Sequence, residues 1–391
     1  MRSRDVFPTD GPVPADKLIG RADDVDVLAN ALVNGLNRIL VGPRRTGKTS
    51  VALAALAEVA ARGSYVVHVD LFRLSGAAEL AEGIVRALIS NRPAGRRAAA
   101  AVRRTGRALS DAAARAVNVK VTAELGADVE IAFTPGLAAR DPDRYLTYAL
   151  ELLQHVAALD NTDVVLFLDE FQEIAAPRAA FGDPDALTKR MRAILQASPQ
   201  VTCLFAGSIE HAMRDLFTPQ RRAFYQFGGF EALSVITDEQ WHSGLTDRLA
   251  SDGVTIDDGA LVELLRHSQG HPRATMLIAQ QAHALTGLLQ RPHIDRELAL
   301  EAYGEALAAD SGSHASEVER IRELSKHSFV VCRRLARGEP PYSGTPKAGA
   351  HRALEALERV GTIERVPTAV AHTTGGWRLV DPLFRDYLAA L

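Results

Sequence analysis

Eight consecutive residues, Gly42-Pro43-Arg44-Arg45-Thr46-Gly47-Lys48-Thr49, match the pattern G-x-x-x-x-G-K-[ST] in full. The chemistry of that spacing is the gripping of a polyphosphate. Its glycines let the backbone curl until N–H groups face phosphate oxygens. Lys48 would reach the β- and γ-phosphates, and the Thr49 hydroxyl would ligate Mg²⁺. Ser50 comes next, on a helix whose positive dipole end adds to the attraction, so all the residues of 42–50 count as nucleotide-binding. A second stretch, Val164-Val165-Leu166-Phe167-Leu168-Asp169-Glu170, is an apolar strand ending in two acids. Such a strand would deliver Asp169 to the metal's shell. Glu170, one step on, would orient and deprotonate an attacking water. Alone, two acids after a strand are commonplace; downstream of a complete phosphate loop they read as its catalytic complement.

Three further positions could sense or stabilise charge. Ser208 ends a strand in Ala206-Gly207-Ser208, where strand ends of open α/β sheets face the ligand crevice, or it is a simple strand-end turn. Arg221 and Arg222, with Arg214 nearby, could supply an arginine to a neighbouring subunit's γ-phosphate. The alternative is a solvated basic turn anchored by Phe224 and Tyr225. Arg273 follows Gly270-His271-Pro272 at a helix start, where a cation opposes the helix dipole. That mild cost fits an arginine projecting toward a nucleotide.

The elements that must position these residues alternate. A helix is expected at 23–36, a strand at 38–41 and an Ala-rich helix at 48–62. Apolar or β-branched strands follow at 65–71, 164–168 and 201–206. This alternation predicts an α/β fold with a parallel, doubly wound sheet. Between the second and third strands lies an insertion, 91–135. Its first half, 91–120, holds Arg92, Arg96, Arg97, Arg103, Arg104, Arg107, Arg115 and Lys120 against one acid, Asp111. A dense run of one sign marks either a nucleic-acid footprint or a solvated helix. The segments 117–121 and 129–133 alternate as a β-hairpin would. After Phe230 the pattern is helical, with a capping box at Thr237 and Gln240 and helices at 238–251, 257–268, 273–289 and 295–309. Asp310-Ser311-Gly312-Ser313 reads as a linker.

The 391 residues are 47% hydrophobic and 24% charged, with a formal net charge of -3, so any nucleic-acid contact must be local. Cys203 and Cys332 lie far apart without metal-ligand spacing, which suits a reducing cytoplasm. The first 17 residues lack the apolar core of a signal peptide, and no apolar run is long enough to span a bilayer.

Together these residues resemble the AAA+ ATPases, and within them the archaeal and bacterial P-loop ATPases that group with origin-recognition proteins and STAND switch NTPases. The likeness rests on Leu18-Ile19-Gly20-Arg21 and on Leu168-Asp169-Glu170-Phe171-Gln172. It rests also on Gly207-Ser208 followed by His211 and Met213, on Phe224-Tyr225 and on Gly270-His271-Pro272. The resemblance implies that Ser208 is a first sensor and Arg273 a second, and that Ile19 and Arg21 line the adenine pocket. It leaves Arg221 and Arg222 both open as the arginine finger.

The C-terminal part resembles a winged helix. A helix at 316–337 is broken by Pro340-Pro341, and a second spans 347–360 with Ala353, Leu354, Leu357 and Val360 at core spacing. Gly361, strands at 363–366 and 377–380, and a last helix after Asp381 complete the pattern. Lys347, His351, Arg352 and Arg359 could face DNA phosphates, although Glu355 and Glu358 share their helix. DNA and protein contact stay equally open.

The expected architecture is a P-loop base domain at 1–230, a helical lid at 231–312 and a winged-helix domain at 313–391. The expected function is an ATP-binding, Mg²⁺-dependent ATPase switch that forms a homo-oligomer with nucleotide and associates with DNA through 92–120 or the winged helix. The rival is a STAND-like signalling or defence switch whose winged helix contacts a protein partner. A protein-remodelling ATPase is a third reading, and the lack of an obvious aromatic threading loop counts against it.

Overall fold

A computed structural model describes residues 2–92, 141–175, 181–366 and 373–391. The expected hairpin, and the basic run from residue 93 onward, lie outside the described residues.

After a single helical turn at Ser3–Val6, the first long helix and the first strand are α1 (Ala22–Val33) and β1 (Arg38–Val41), followed by α2 (Lys48–Ala61) and β2 (Tyr65–Asp70). Then come α3 (Ala77–Asn91), α4 (Pro142–Asp160), β3 (Val164–Asp169), α5 (Pro184–Gln196), β4 (Val201–Gly207), α6 (Glu210–Phe217) and β5 (Gly229–Ala232). The five strands form one parallel sheet in the order β2-β3-β4-β1-β5. Strands β3 and β4 are buried along their whole length, which is why they read as unbroken apolar runs. The edge strand β5 was not expected. Its four residues are mostly exposed and carry no apolar run, so only pairing with β1 makes them a strand.

Contacts divide the chain into two compact units. One comprises Val25–Val41 and Ala52–Ala232. Its core joins the sheet to α3, α4 and α5, with a cluster of Phe171, Phe205, Phe217, Phe224 and Phe227 rings 4.7–6.1 Å apart.

The other unit comprises Met1–Asp24, Gly42–Val51 and Leu233–Leu391. It holds α7 (Asp238–Ala250), α8 (Asp258–Ser268), α9 (Pro272–Leu288) and α10 (Arg296–Leu324), with a parallel pair β6 (Thr255–Ile256) and β7 (His293–Ile294). Thr237 and Gln240 form the expected capping box at the start of α7. Next come α11 (Ser328–Ala336), α12 (Lys347–Arg359), β8 (Ile363–Arg365), β9 (Trp377–Leu379) and α13 (Pro382–Ala390), with β8 and β9 antiparallel.

Two expectations fail here for local reasons. Asp310-Ser311-Gly312-Ser313 is not a linker but the middle of α10. Buried Ala302, Ala306, Asp310, His314 and Val318 recur every fourth residue, so one face stays packed through the polar stretch. Ser311 and Ser316 donate their hydroxyls back to Ala308 O and Gly312 O, 2.7 and 3.0 Å away, instead of breaking the helix. Conversely, the helix expected at 316–337 is broken. Ser325 is extended, and its hydroxyl meets that of the fully buried Ser328 at 2.7 Å.

Candidate functional site

The phosphate loop leaves the carboxyl end of β1, and Lys48 opens α2. Gly42 and Gly47 sit at φ +153° and +94°, and Arg45 is left-handed at φ +64°. A side chain at Gly47 would meet no atom within 4 Å, so its positive φ and not crowding is what calls for glycine there. Lys48 is buried, and its Nζ donates to Pro43 O at 2.6 Å. Thr46 Oγ1 donates to the same carbonyl at 2.9 Å. Thr49 is half-buried, and Ser50 Oγ accepts from Val13 N at 2.9 Å.

Arg21 is buried and braces the loop from the N-terminal segment. It donates to Thr46 O at 3.1 Å and to Ser234 O, and pairs with Asp24 at 2.8 Å. Ile19 is buried against Gly244 in the core formed with Ile236, Trp241 and Leu245. Both residues expected to line an adenine pocket thus lie in the unit that holds the loop.

Arg44 and Arg45 line a small cavity of about 110 Å³ with His314, Thr362 and Asp381. Arg45 Nη1 pairs with Asp381 Oδ2 at 3.0 Å. Asp381 also caps α13, accepting from Leu383 N and Phe384 N at 3.0 and 3.2 Å. Burial pushes its carboxyl up, but the charges of His271 and Arg45 and the capping bond bring it below the ordinary value. His271 caps α9, its Nδ1 accepting from Ala274 N at 3.3 Å. Burial lowers its pKa against the pull of Asp381 and the Arg44 backbone.

Arg273, expected to project toward a nucleotide, is instead held two-pronged by Asp310, at 2.5 and 2.8 Å. Burial disfavours both charges, but Arg273 and His314 hold the Asp310 carboxyl well below the usual range. Asp310, His314 and Asp381 place ligand atoms within 4.8 Å of one another, as a metal site would. Arg273 and Arg45 already compensate the two carboxylates, so the cluster is an ion network.

In the sheet unit, Asp169 ends β3 buried, and its Oδ1 accepts from Glu170 N at 2.9 Å. It stands in register with Asp70 of β2. Ser208, one residue past β4, is buried and donates to Glu170 Oε2 at 2.7 Å. Gln172 joins them, donating to the same carboxylate oxygen and lying 3.4 Å from Ser208 Oγ. The loop's strand β1 and Asp169's strand β3 flank β4 with all carboxyl ends on one edge.

The two candidate finger residues separate. Arg222 Nη1 is tied to Asp185 at the start of α5, whereas Arg221 is exposed. Arg92, counted with the basic insertion, is not a surface charge. It is buried and paired with Asp160 through Nε and Nη2, both at 2.7 Å.

Sequence reasoning missed Asp24, Asp310, His314 and Asp381. The signals were faint: an i, i+4 acid–histidine pair in an Ala-spaced helix, and an Asp-Pro helix start.

No family model matches this chain, and no curated protein does. Solved structures share its fold along nearly the whole length. The Walker-type ATPase PABY2304 of Pyrococcus abyssi is 15% identical with a TM-score of 0.69, covering 98% of this chain and 99% of that one. The ORC2 protein of Aeropyrum pernix in its ADPNP–ADP complexes is 19% identical with a TM-score of 0.60, covering 98% and 95%. Its ADP form is 17% identical with a TM-score of 0.55, covering 99% and 98%. What they share with this chain is the fold, an α/β arrangement around a parallel five-stranded sheet.

Proposed function

We propose that this chain binds ATP with Mg²⁺ and hydrolyses it, working as a cytoplasmic, nucleotide-driven switch that oligomerises and associates with DNA. One observation carries the reading. A complete phosphate loop opens off the carboxyl end of β1, in the same parallel sheet whose strand β3 ends on buried Asp169. A side chain at Gly47 would meet no atom within 4 Å. The nucleotide complexes of the ORC2 protein, which shares this fold, point the same way.

In this reading the backbone of 42–50 cradles the phosphates, and Lys48 turns from Pro43 O to their oxygens. Thr49 and Asp169 would hold Mg²⁺, which neutralises phosphate charge when bound. Glu170 takes the proton of the attacking water. Ser208 and Arg273 report the γ-phosphate, Arg273 by leaving Asp310. Arg221, exposed where Arg222 is tied, serves as the finger toward a neighbouring subunit. Ile19 and Arg21 border the base.

For the partner, the order α11, α12, β8, β9 is that of a winged helix at 313–391, following a lid at 231–312. The arginine-rich run 93–120 adds a phosphate-seeking charge. The test pairs nucleotide binding with size and DNA titration. Wild-type chain should bind a fluorescent ATP analogue with Mg²⁺, enlarge with it, and bind duplex DNA with an affinity that falls steeply with salt. Lys48→Ala should lose nucleotide, and Glu170→Gln should keep it while hydrolysis drops by roughly 10²-fold or more. Wild-type protein with no affinity for adenine nucleotides ends the proposal.

A further inference from the structure

Glu170 stands in an unusual environment. Its backbone is left-handed at φ +50°, a region that residues with a Cβ seldom occupy. Strained positions of this kind persist where the surroundings over-determine them. Here two donors converge on one carboxylate oxygen: Ser208 Oγ at 2.7 Å and the Gln172 side-chain amide both reach Oε2. Gln172 is itself buried and lies 3.4 Å from Ser208 Oγ. Its carbonyl Oε1 is buried with no hydrogen-bond partner and faces the α-carbon of Gly207. A buried amide that leaves its own acceptor unsatisfied costs stability. Gln172 is therefore poorly explained by packing, and its one strong contact is with Glu170.

We propose that Gln172 is a positioning residue for the hydrolytic base. Its amide and the Ser208 hydroxyl fix Oε2 of Glu170, leaving Oε1 as the oxygen turned to the attacking water. A carboxylate free to rotate divides its time between both oxygens and many angles. One anchored through Oε2 presents a single lone-pair direction, and proton transfer is sensitive to that geometry. Gly207 belongs to the same device, because a side chain there would overlap Gln172 Oε1 and Met213. The inference rests on the ATPase reading above and adds to it a residue outside both nucleotide motifs.

Steady-state ATP hydrolysis and nucleotide affinity, measured on the full-length chain, test it. Gln172→Met conserves volume and deletes the unsatisfied carbonyl, so the fold should hold while the donor is lost. The expected result is a kcat lower by about tenfold or more, part of the roughly 10²–10⁴ that a positioned base contributes, with nucleotide Kd unchanged. Gln172→Glu supplies the second readout. Its carboxyl donates as the amide did while protonated, and repels Glu170 once ionised. Its kcat, relative to wild type, should approach unity at the acid end and fall as pH rises. A purely structural role would give no such pH signature. If wild type hydrolyses ATP while Gln172→Met retains kcat within twofold, or the Gln172→Glu profile superimposes on wild type, the positioning role is overturned alone. If wild type binds no nucleotide, the ATPase reading fails and takes this inference with it.

Discussion

Arg273 and Asp310 face each other as a fork: Nη1 to Oδ2 at 2.5 Å and Nη2 to Oδ1 at 2.8 Å. One lies in the first turn of α9 and the other mid-way along α10, so a single ion pair staples the two helices. Planar guanidinium–carboxylate pairing is the strong form of this contact. Removing one partner of a fully buried pair costs roughly 3–5 kcal/mol. Arg273 is about a fifth exposed, so Asp310→Asn should cost less, about 2–3 kcal/mol, read from the urea midpoint at pH 7. The folded-state pKa of Asp310 is depressed, so its stabilisation is present above about pH 4 and lost as pH falls further. The acid limb of the variant's stability curve should be flatter than that of wild type.

Asp381 does two jobs, and two substitutions separate them. Its pair with Arg45 involves an arginine side chain 41% exposed, so the charge contributes only about 0.2–1 kcal/mol. Its capping of α13 is worth about 1 kcal/mol. Asp381→Asn should keep the cap and lose the pair, with a small change. Asp381→Ala should lose both and melt several degrees lower in thermal unfolding followed by circular dichroism.

His271 makes stability depend on pH near neutrality. Its Nδ1 accepts the capping bond from Ala274 N, which requires that nitrogen to be unprotonated. Burial lowers its folded-state pKa. The unfolded chain therefore binds this proton first. The histidine's contribution is intact above about pH 6.5 and is lost as pH falls from there toward the folded value. His271→Asn retains a capping acceptor that does not titrate, so the urea midpoint should change less between pH 7.5 and 5.5 than in wild type.

Gly207 is the tightest glycine among the described residues of the sheet unit. A methyl group there would overlap the Met213 side chain and Gln172 Oε1. Overpacking of this kind costs about 1–3 kcal/mol. Gly207→Ala should unfold at lower denaturant, and Gly207→Ala with Met213→Ala should recover part of the loss in a double-mutant cycle.

Much of this was legible because the sheet is parallel and buried. Strands β3 and β4, inside on both faces, could only be apolar runs, and the loop after β1 has a spacing set by phosphate geometry. Strand β5 was invisible because four mostly exposed residues carry no pattern. The continuity of α10 was hidden because Ser311, Gly312 and Ser313 have the composition of a turn, while the partner that anchors Asp310, Arg273, lies 37 positions away. Ser208 stands one residue past a strand end, as its sequence position predicted. Its partner proved to be Glu170, with Gln172 alongside, and hydrogen bonds between residues 36 and 38 positions apart have no periodicity to betray them.

The unbroken course of α10 has a mechanical consequence. At 1.5 Å per residue, its 29 residues make a rod about 43 Å long. A hinge at 310–313 would have let the segments before and after it swing separately. A continuous helix puts them on one axis from Arg296 to Leu324, and the ion pair of Asp310 with Arg273 holds that axis near its middle.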